Sequence, residues 1–106
     1  MPYIDQNRRK SLDNSIDQMC LCVKNLLSDK AFVKNEISNE EFLSICGDLN
    51  YCFSRILSNV MGKVSYSKIA IATGVLENVK QEFYRRIAEN YEDDKIKING
   101  DIKEYA

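Results

Sequence analysis

The chain has 106 residues, of which 44% are hydrophobic and 29% are charged, and its formal net charge is −1. This length and apolar content fit a single globular domain over residues 1–106 and leave too little chain for a second one. The balanced charge argues against a protein held on nucleic acid mainly through phosphate contacts, because such proteins carry a clear basic excess. The sequence has no histidine, which removes the commonest general base and the Cys2His2 type of zinc site.

Apolar side chains recur at helical spacing through the first part of the chain. They are separated by three or four residues and therefore fall on one face of a helix. The members of this stripe are Leu12, Ile16, Met19, Val23 and Leu26 or Leu27. We predict helix one from about Arg9 to Leu27, with Asp5 as a candidate N-cap for a preceding turn. Residues 28–37 mix charged and apolar side chains and are predicted to form a loop.

Residues 38–61 open with a capping box, in which Ser38 accepts a hydrogen bond from the Glu41 amide and Glu41 reaches back. The apolar stripe that follows has the clearest helical period in the chain. Gly47 and Asp48 interrupt this stripe, and Asp48 is itself a candidate cap for a helix beginning there. The region therefore forms either one helix or two.

Gly62 fits the position just after a helix C-terminus, and Ser65 caps the next helix. The apolar side chains of that helix are spaced by 3, 4, 3, 4 and 4 residues, and we call them the C-terminal stripe: Ile69, Ala72, Leu76, Val79, Phe83 and Ile87. Running to about Asn90, the helix would be about 39 Å long at 1.5 Å per residue. Two short partner helices do not cover that length. We therefore predict an all-α bundle of three to four helices, with one long C-terminal helix, that forms a homo-oligomer.

The tail, from about residue 92 to residue 106, has a different composition. It is charged, and Asn99–Gly100 is a strong turn signal. Two isoleucines alternate with two lysines between residues 95 and 98, as they would in a short strand. We expect a short irregular tail that is ordered as a turn.

The absence of a secretory signal and of a long apolar run predicts a cytoplasmic protein. The four cysteines contain no C-x-x-C spacing and are predicted to be reduced, structural thiols, since free cysteine is commonly buried as a small hydrophobe. They are Cys20, Cys22, Cys46 and Cys52. The N-terminal basic residues are not followed by the apolar segment of a secretory signal. The longest nearly apolar run is far shorter than the roughly 20 residues that span a bilayer, so we expect no membrane association.

The candidate ligand-binding residues are Tyr84, Arg85, Arg86 and Tyr91. Guanidinium groups hold phosphates through paired hydrogen bonds, and tyrosine rings stack on a base. Together they would suit a nucleotide-like anion. Arg8 and Arg9 form a second basic cluster, which in an oligomer would face the arginines of a neighbouring copy across the anion.

The same arginines also have a structural interpretation. Glu82 lies four residues before Arg86, and Arg85 lies four residues before Glu89. Such helical ion pairs contribute only about 0.2–0.5 kcal/mol each. The sequence does not choose between ion pairing and ligand binding.

No catalytic arrangement stands out in the chain. It has no G-x-S-x-G motif, no P-loop and no dinucleotide fingerprint, and a nucleophilic cysteine would have no histidine partner. We therefore expect a protein that is not an enzyme and that has neither a cofactor nor a metal site.

Several segments resemble a family of small proteins of unknown function that is common in bacteriophage and prophage genomes. The matching segments are 1–4, 47–51, 74–86 with its G-V-L-E and E-F-Y-R-R sequences, 91–96 and 99–101. The resemblance implies a viral or prophage protein that acts in the cytoplasm of a bacterial host. Small helical phage proteins of this kind are similar to inhibitors of host defence, some of which sequester nucleotide signals at subunit interfaces.

Two functional hypotheses follow. The first is a helical homo-oligomer that sequesters a phosphorylated small molecule of the nucleotide type. The alternative is a helical interaction module that binds a host or phage protein and no small ligand.

Overall fold

The structure, a computed structural model, describes residues 2–27 and 36–106, and these residues form four helices and no strand. The helices are α1 (Gln6–Lys24), α2 (Asn39–Ser44), α3 (Cys46–Met61) and an unbroken C-terminal helix made of α4 (Tyr66–Phe83), a π-helical turn (Tyr84–Ala88) and α5 (Glu89–Asn99). The prediction of an all-α protein with one long C-terminal helix is confirmed for this part of the chain.

The chain divides into two units. The N-terminal unit covers residues 3–63 and contains α1, α2 and α3. The C-terminal unit covers residues 64–106, together with Pro2, and contains the C-terminal helix. The assignment of residues 1–106 to one domain stays a prediction.

Side-chain caps begin three of the helices. Asp5, Ser38 and Ser65 each accept a hydrogen bond from the backbone amide three residues further along, at 3.0, 3.1 and 3.2 Å. Each cap satisfies one of the amides that have no partner within the first helical turn. The caps predicted at Ser38 and Ser65 are confirmed. Because Asp5 caps α1 itself, that helix begins at Gln6 rather than at Arg9.

The region from residue 38 to residue 61 forms two helices, and the break lies at Ile45. That residue has φ −102° and ψ 2°, outside the helical range, and its side chain is buried. Asp48 does not cap α3 but lies in its first turn. Its negative charge there interacts favourably with the positive end of the helix dipole. Gly62 ends α3 with φ 70°, a left-handed conformation that glycine adopts without steric cost.

The prediction for the tail is wrong up to Asn99, because α5 continues the C-terminal helix to that residue. Each residue added to a helix forms one more backbone hydrogen bond. This gain outweighs the weak preference for a strand that the alternating isoleucines and lysines indicate. The Asn99–Gly100 signal marks the helix end instead: Gly100 has φ 85°, and its amide donates to the Ile96 carbonyl at 2.8 Å. A short turn follows at residues 103–105.

Helix one ends at Lys24, three residues before the predicted end at Leu27. The predicted loop at residues 28–37 lies outside the described residues from 28 to 35. Within the described ranges, no helix is both long enough and apolar enough to cross a membrane.

The N-terminal unit has a small apolar core. Val23 of α1 and Ile45 are its buried hydrophobic residues, 8% and 6% exposed. The Sγ atom of Cys52 on α3 lies 3.9 Å from the Sδ atom of Met19, so α1 and α3 are in contact there. All four cysteines are free, and Cys52 is half-buried. The other three are exposed, contrary to the expectation of buried thiols.

Candidate functional site

The π-helical turn holds three of the predicted ligand-binding residues, Tyr84, Arg85 and Arg86, and Tyr91 follows in α5. At the end of this turn the Glu89 amide donates to the Tyr84 carbonyl, five residues back rather than four. A π-turn therefore contains one residue more than an α-helical turn, and such turns frequently occur at functional sites.

Arg85 is engaged by a carboxylate of its own helix. Its Nη2 atom lies 2.6 Å from Glu82 Oε1, and its Nε atom donates to Glu82 Oε2 at 3.3 Å. Both sides of the guanidinium fork therefore face the same carboxylate. The structural interpretation thus applies to Arg85, although the partner is Glu82 rather than the predicted Glu89.

Tyr84 is also held by an acidic residue. Its hydroxyl donates to Glu92 Oε1 at 3.1 Å. This hydrogen bond, reinforced by the negative charge of Glu92, raises the pKa of the Tyr84 hydroxyl above its ordinary value. The shift favours the protonated form of the hydroxyl, which is the form that donates this hydrogen bond.

Arg86 differs from Arg85, because its guanidinium has no ion-pair or hydrogen-bond partner among the described residues. Its backbone carbonyl accepts a hydrogen bond from Asn90 Nδ2 at 2.9 Å. On the next turn, Lys95 Nζ lies 5.5 Å from the centre of the Tyr91 ring, within the range of a cation–π contact. Of the two adjacent arginines, Arg86 is the one that is available to bind an anion.

A shallow cleft runs along the C-terminal helix beside Arg85. Its charged lining residues are Glu77, Lys80, Glu82, Arg85 and Glu89. Three carboxylates outnumber two cations there, so the electrostatic potential of the cleft does not favour a phosphate. An anion site would have to form on the Arg86 side of the turn.

Arg8 and Arg9 lie on α1, in the N-terminal unit. Arg9 Nε donates to the Ile4 carbonyl at 2.7 Å, which ties the segment before α1 to the first turn of that helix. The backbone amide of Arg8 is the donor to the Asp5 cap. Their participation in a ligand site stays a prediction.

The family model of the domain of unknown function DUF6899 matches residues 1–102. The chain belongs to the DUF6899 family. This match confirms the predicted membership in an uncharacterised family that covers nearly the whole chain. None of the curated proteins and none of the solved structures is significantly similar to it.

The N-terminal unit of this DUF6899 member contains a second cleft that sequence reasoning did not identify. Met19 of α1 and Tyr51, Cys52, Arg55 and Ile56 of α3 are among its lining residues. The Arg55 guanidinium lies 5.8 Å from the centre of the Tyr51 ring. The four-residue spacing of these two residues on an amphipathic helix was the signal that could have indicated this contact.

Proposed function

We propose that this chain is a non-enzymatic bacteriophage or prophage protein that acts in the host cytoplasm as a homo-oligomer assembled through its C-terminal helix. The observation that carries the proposal is the exposure of the large side chains of the C-terminal stripe. Its five large side chains, Ile69, Leu76, Val79, Phe83 and Ile87, are between 47% and 60% exposed. A contiguous apolar surface of this kind marks an interaction site.

The form of the stripe favours a second copy of the chain as the partner. Apolar residues at alternating steps of three and four residues make the narrow seam typical of coiled coils, which a helix with the same repeat complements. Covering the stripe removes on the order of 500 Å² of apolar surface per copy, if each large side chain contributes roughly 100 Å². Residues on either side of the stripe add to this buried area and bring it toward the roughly 800 Å² per partner that a standard interface buries.

The molar mass of the protein in solution tests this assembly. We expect light scattering to give a multiple of the 12.2 kDa chain mass. Leu76→Glu places a carboxylate in the stripe and should shift the protein to the monomer, because a buried unpaired charge is costly. Ile71→Glu is the matched control, since Ile71 is an exposed aliphatic residue of the same helix outside the stripe. A monomeric wild-type protein would exclude the proposed assembly.

A second candidate function is sequestration of a phosphorylated, nucleotide-type signal, as in an inhibitor of host defence. Arg86 supports it, because its guanidinium is unpaired among the described residues and the residue directly precedes Ile87 of the stripe. In an oligomer built on the stripe, Arg86 of each copy lies one residue before a stripe residue. Guanidinium groups from different copies can then share one phosphate.

Thermal unfolding of the oligomer with a panel of nucleotides, cyclic dinucleotides and ADP-ribose derivatives tests this candidate. A ligand at about 100 times its dissociation constant adds roughly 2.7 kcal/mol of stability. Arg86→Gln should abolish the shift, whereas Arg55→Gln, which removes the same charge from α3, should preserve it. If no compound stabilises an intact oligomer, the alternative of a host or phage protein partner is favoured instead.

A further inference from the structure

The spacing of the C-terminal stripe changes at the π-helical turn. Up to Phe83 its steps alternate between three and four residues, whereas Ile87 and Tyr91 follow at two successive steps of four. The distance from Ile69 to Tyr91 is twenty-two residues, one more than three heptads. In a regular α-helix with 3.6 residues per turn, two successive steps of four rotate a side chain by about 80°. Tyr91 would then leave the stripe.

The π-helical turn lies between Phe83 and Tyr91, where the extra residue occurs. Because a π-turn holds one more residue than an α-turn, it absorbs this residue and returns Tyr91 to the line of the stripe. The result is one continuous seam, which we call the extended seam: Ile69, Ala72, Leu76, Val79, Phe83, Ile87 and Tyr91.

A separate contact shows the same realignment. Tyr84 and Glu92 are eight residues apart, the separation of Phe83 and Tyr91, and their side chains are joined by a hydrogen bond of 3.1 Å. Residues eight apart on a regular α-helix face directions about 80° apart. The π-turn brings these two onto one face, so the rotation is present in the side-chain contacts as well as in the backbone.

Two further contacts brace the turn. Arg85 pairs with Glu82, in the last turn of α4, and the Asn90 side chain donates to the Arg86 carbonyl. A π-turn changes the usual pairing of backbone carbonyls, and the Asn90 amide supplies a donor for one of them. The turn is therefore held by side chains from both adjoining helical sections.

We infer that the π-helical turn is a register-correcting element that extends the self-association seam to Tyr91, and that the occupant of this seam is a second copy of the chain in parallel register. The inference rests on the proposed homo-oligomer. The extended seam consists of three heptads with one extra residue in the π-helical turn. A partner helix complements this seam when it has its own extra residue at the same position along the helix axis. Another copy of the chain in parallel register has its extra residue at that position.

The residues that flank the extended seam are compatible with a parallel pair. Each heptad of the seam contains two apolar positions. In a parallel pair of helices, the residue directly before the first of these positions faces the residue five positions further along the partner helix. With the extra residue allowed for, these pairs are Lys68 with Thr73, Val75 with Lys80, Glu82 with Ala88, and Asn90 with Lys95. None of these pairs joins like charges.

Tyr91→Glu tests whether the seam passes through the π-turn. We expect it to raise the dissociation constant of the oligomer at least about tenfold, measured by analytical ultracentrifugation, because it buries a carboxylate in the seam. Tyr105→Glu is the matched control, since Tyr105 is an exposed tyrosine beyond the helix. Equal, small effects of the two variants would overturn the inference.

Changes in the length of the turn provide a second test. Deleting Arg86 leaves alternating steps of three and four residues throughout, so the oligomer should persist. Inserting one alanine after Arg86 rotates Ile87 and Tyr91 off the seam, and the dissociation constant should rise at least about tenfold. An insertion without effect contradicts the inference, and circular dichroism verifies that each variant keeps its helix content.

The two proposals fail in different ways. A monomeric wild-type protein would overturn both of them. An oligomer that is sensitive to Leu76→Glu but insensitive to Tyr91→Glu and to the alanine insertion would preserve the proposed function and overturn only the role of the π-turn.

Discussion

The two units of the molecule differ in whether they bury any of their large apolar side chains. In the N-terminal unit Val23 and Ile45 are buried, and the sulfur atoms of Met19 and Cys52 are in contact between α1 and α3. In the C-terminal unit every large apolar side chain of the C-terminal helix is exposed. The first unit thus has a small core of its own, whereas the second is a single helix with an apolar face.

This difference shows where each unit obtains its stability. Helix contacts within one chain stabilise the N-terminal unit, although its core is small. A single helix gains little from intrinsic propensity in water, and most helical stability in proteins comes from packing of the amphipathic face. The proposed assembly would supply that packing to the C-terminal helix, and the stability of this helix should then depend on protein concentration.

The largest expected effect on assembly comes from a charge introduced in the C-terminal stripe, with a phenylalanine outside the stripe as the matched control. Phe83→Glu in the C-terminal stripe should weaken the oligomer by about 3 kcal/mol, roughly a hundredfold in the dissociation constant, because a carboxylate would be buried without a partner. Phe42→Glu changes an exposed phenylalanine of α2 and should leave the oligomer intact. Sedimentation of both variants distinguishes the units, and equal dissociation would remove the contrast between them.

Truncation of Ile45 tests the core of the N-terminal unit. Ile45→Ala removes a buried side chain and should lower the free energy of unfolding by about 2–4 kcal/mol, whatever the protein concentration. Ile56→Ala shortens an exposed isoleucine of α3 and should cost much less. Denaturant unfolding at two protein concentrations measures both effects. A concentration-dependent loss in Ile45→Ala would mean that this core also forms only on assembly.

Removal of the helix caps should have a smaller effect, and the place where the helix opens should differ between the two units. Ser65→Ala and Ser38→Ala each remove one side-chain hydrogen bond to a backbone amide and should cost about 1 kcal/mol. Hydrogen exchange should show faster opening of the first turn of α4 in one variant and of α2 in the other. Faster exchange throughout both units in either variant would show that the units unfold together.

The smallest effect is the pH dependence of the π-helical turn. Glu92 raises the pKa of Tyr84 above 10.0, so the folded state favours the protonated phenol. The resulting stabilisation is present below pH 10 and is lost as the pH rises through the raised pKa. In a tyrosinate absorbance titration, Tyr84→Phe should remove absorbance from the alkaline end of the curve, and Glu92→Gln should shift that part of the curve to lower pH. A loss of amplitude spread evenly along the curve in Tyr84→Phe would contradict the contact.

Much of the fold followed from local sequence signals. Ser38 and Ser65 were identified as caps because a hydroxyl and an amide three residues away interact within one turn, whatever surrounds them. The C-terminal stripe was visible because helical periodicity depends on spacing alone. The step of four residues from Ile87 to Tyr91, which directly follows the step of four from Phe83 to Ile87, was also present in the sequence, and it was the signal that could have indicated the π-turn.

The sequence by itself determined the helical class, the caps at Ser38 and Ser65 and the apolar face of the C-terminal helix, since these depend on contacts within a few residues. The structure decided the break at Ile45, which is buried in the small core, and the continuation of the helix to Asn99, where backbone hydrogen bonding along the helix outweighs the alternating pattern. It also decided that Arg85 pairs with Glu82 and not with Glu89. Both carboxylates lie within reach of Arg85 along the sequence, and the π-helical turn changes which of them faces it.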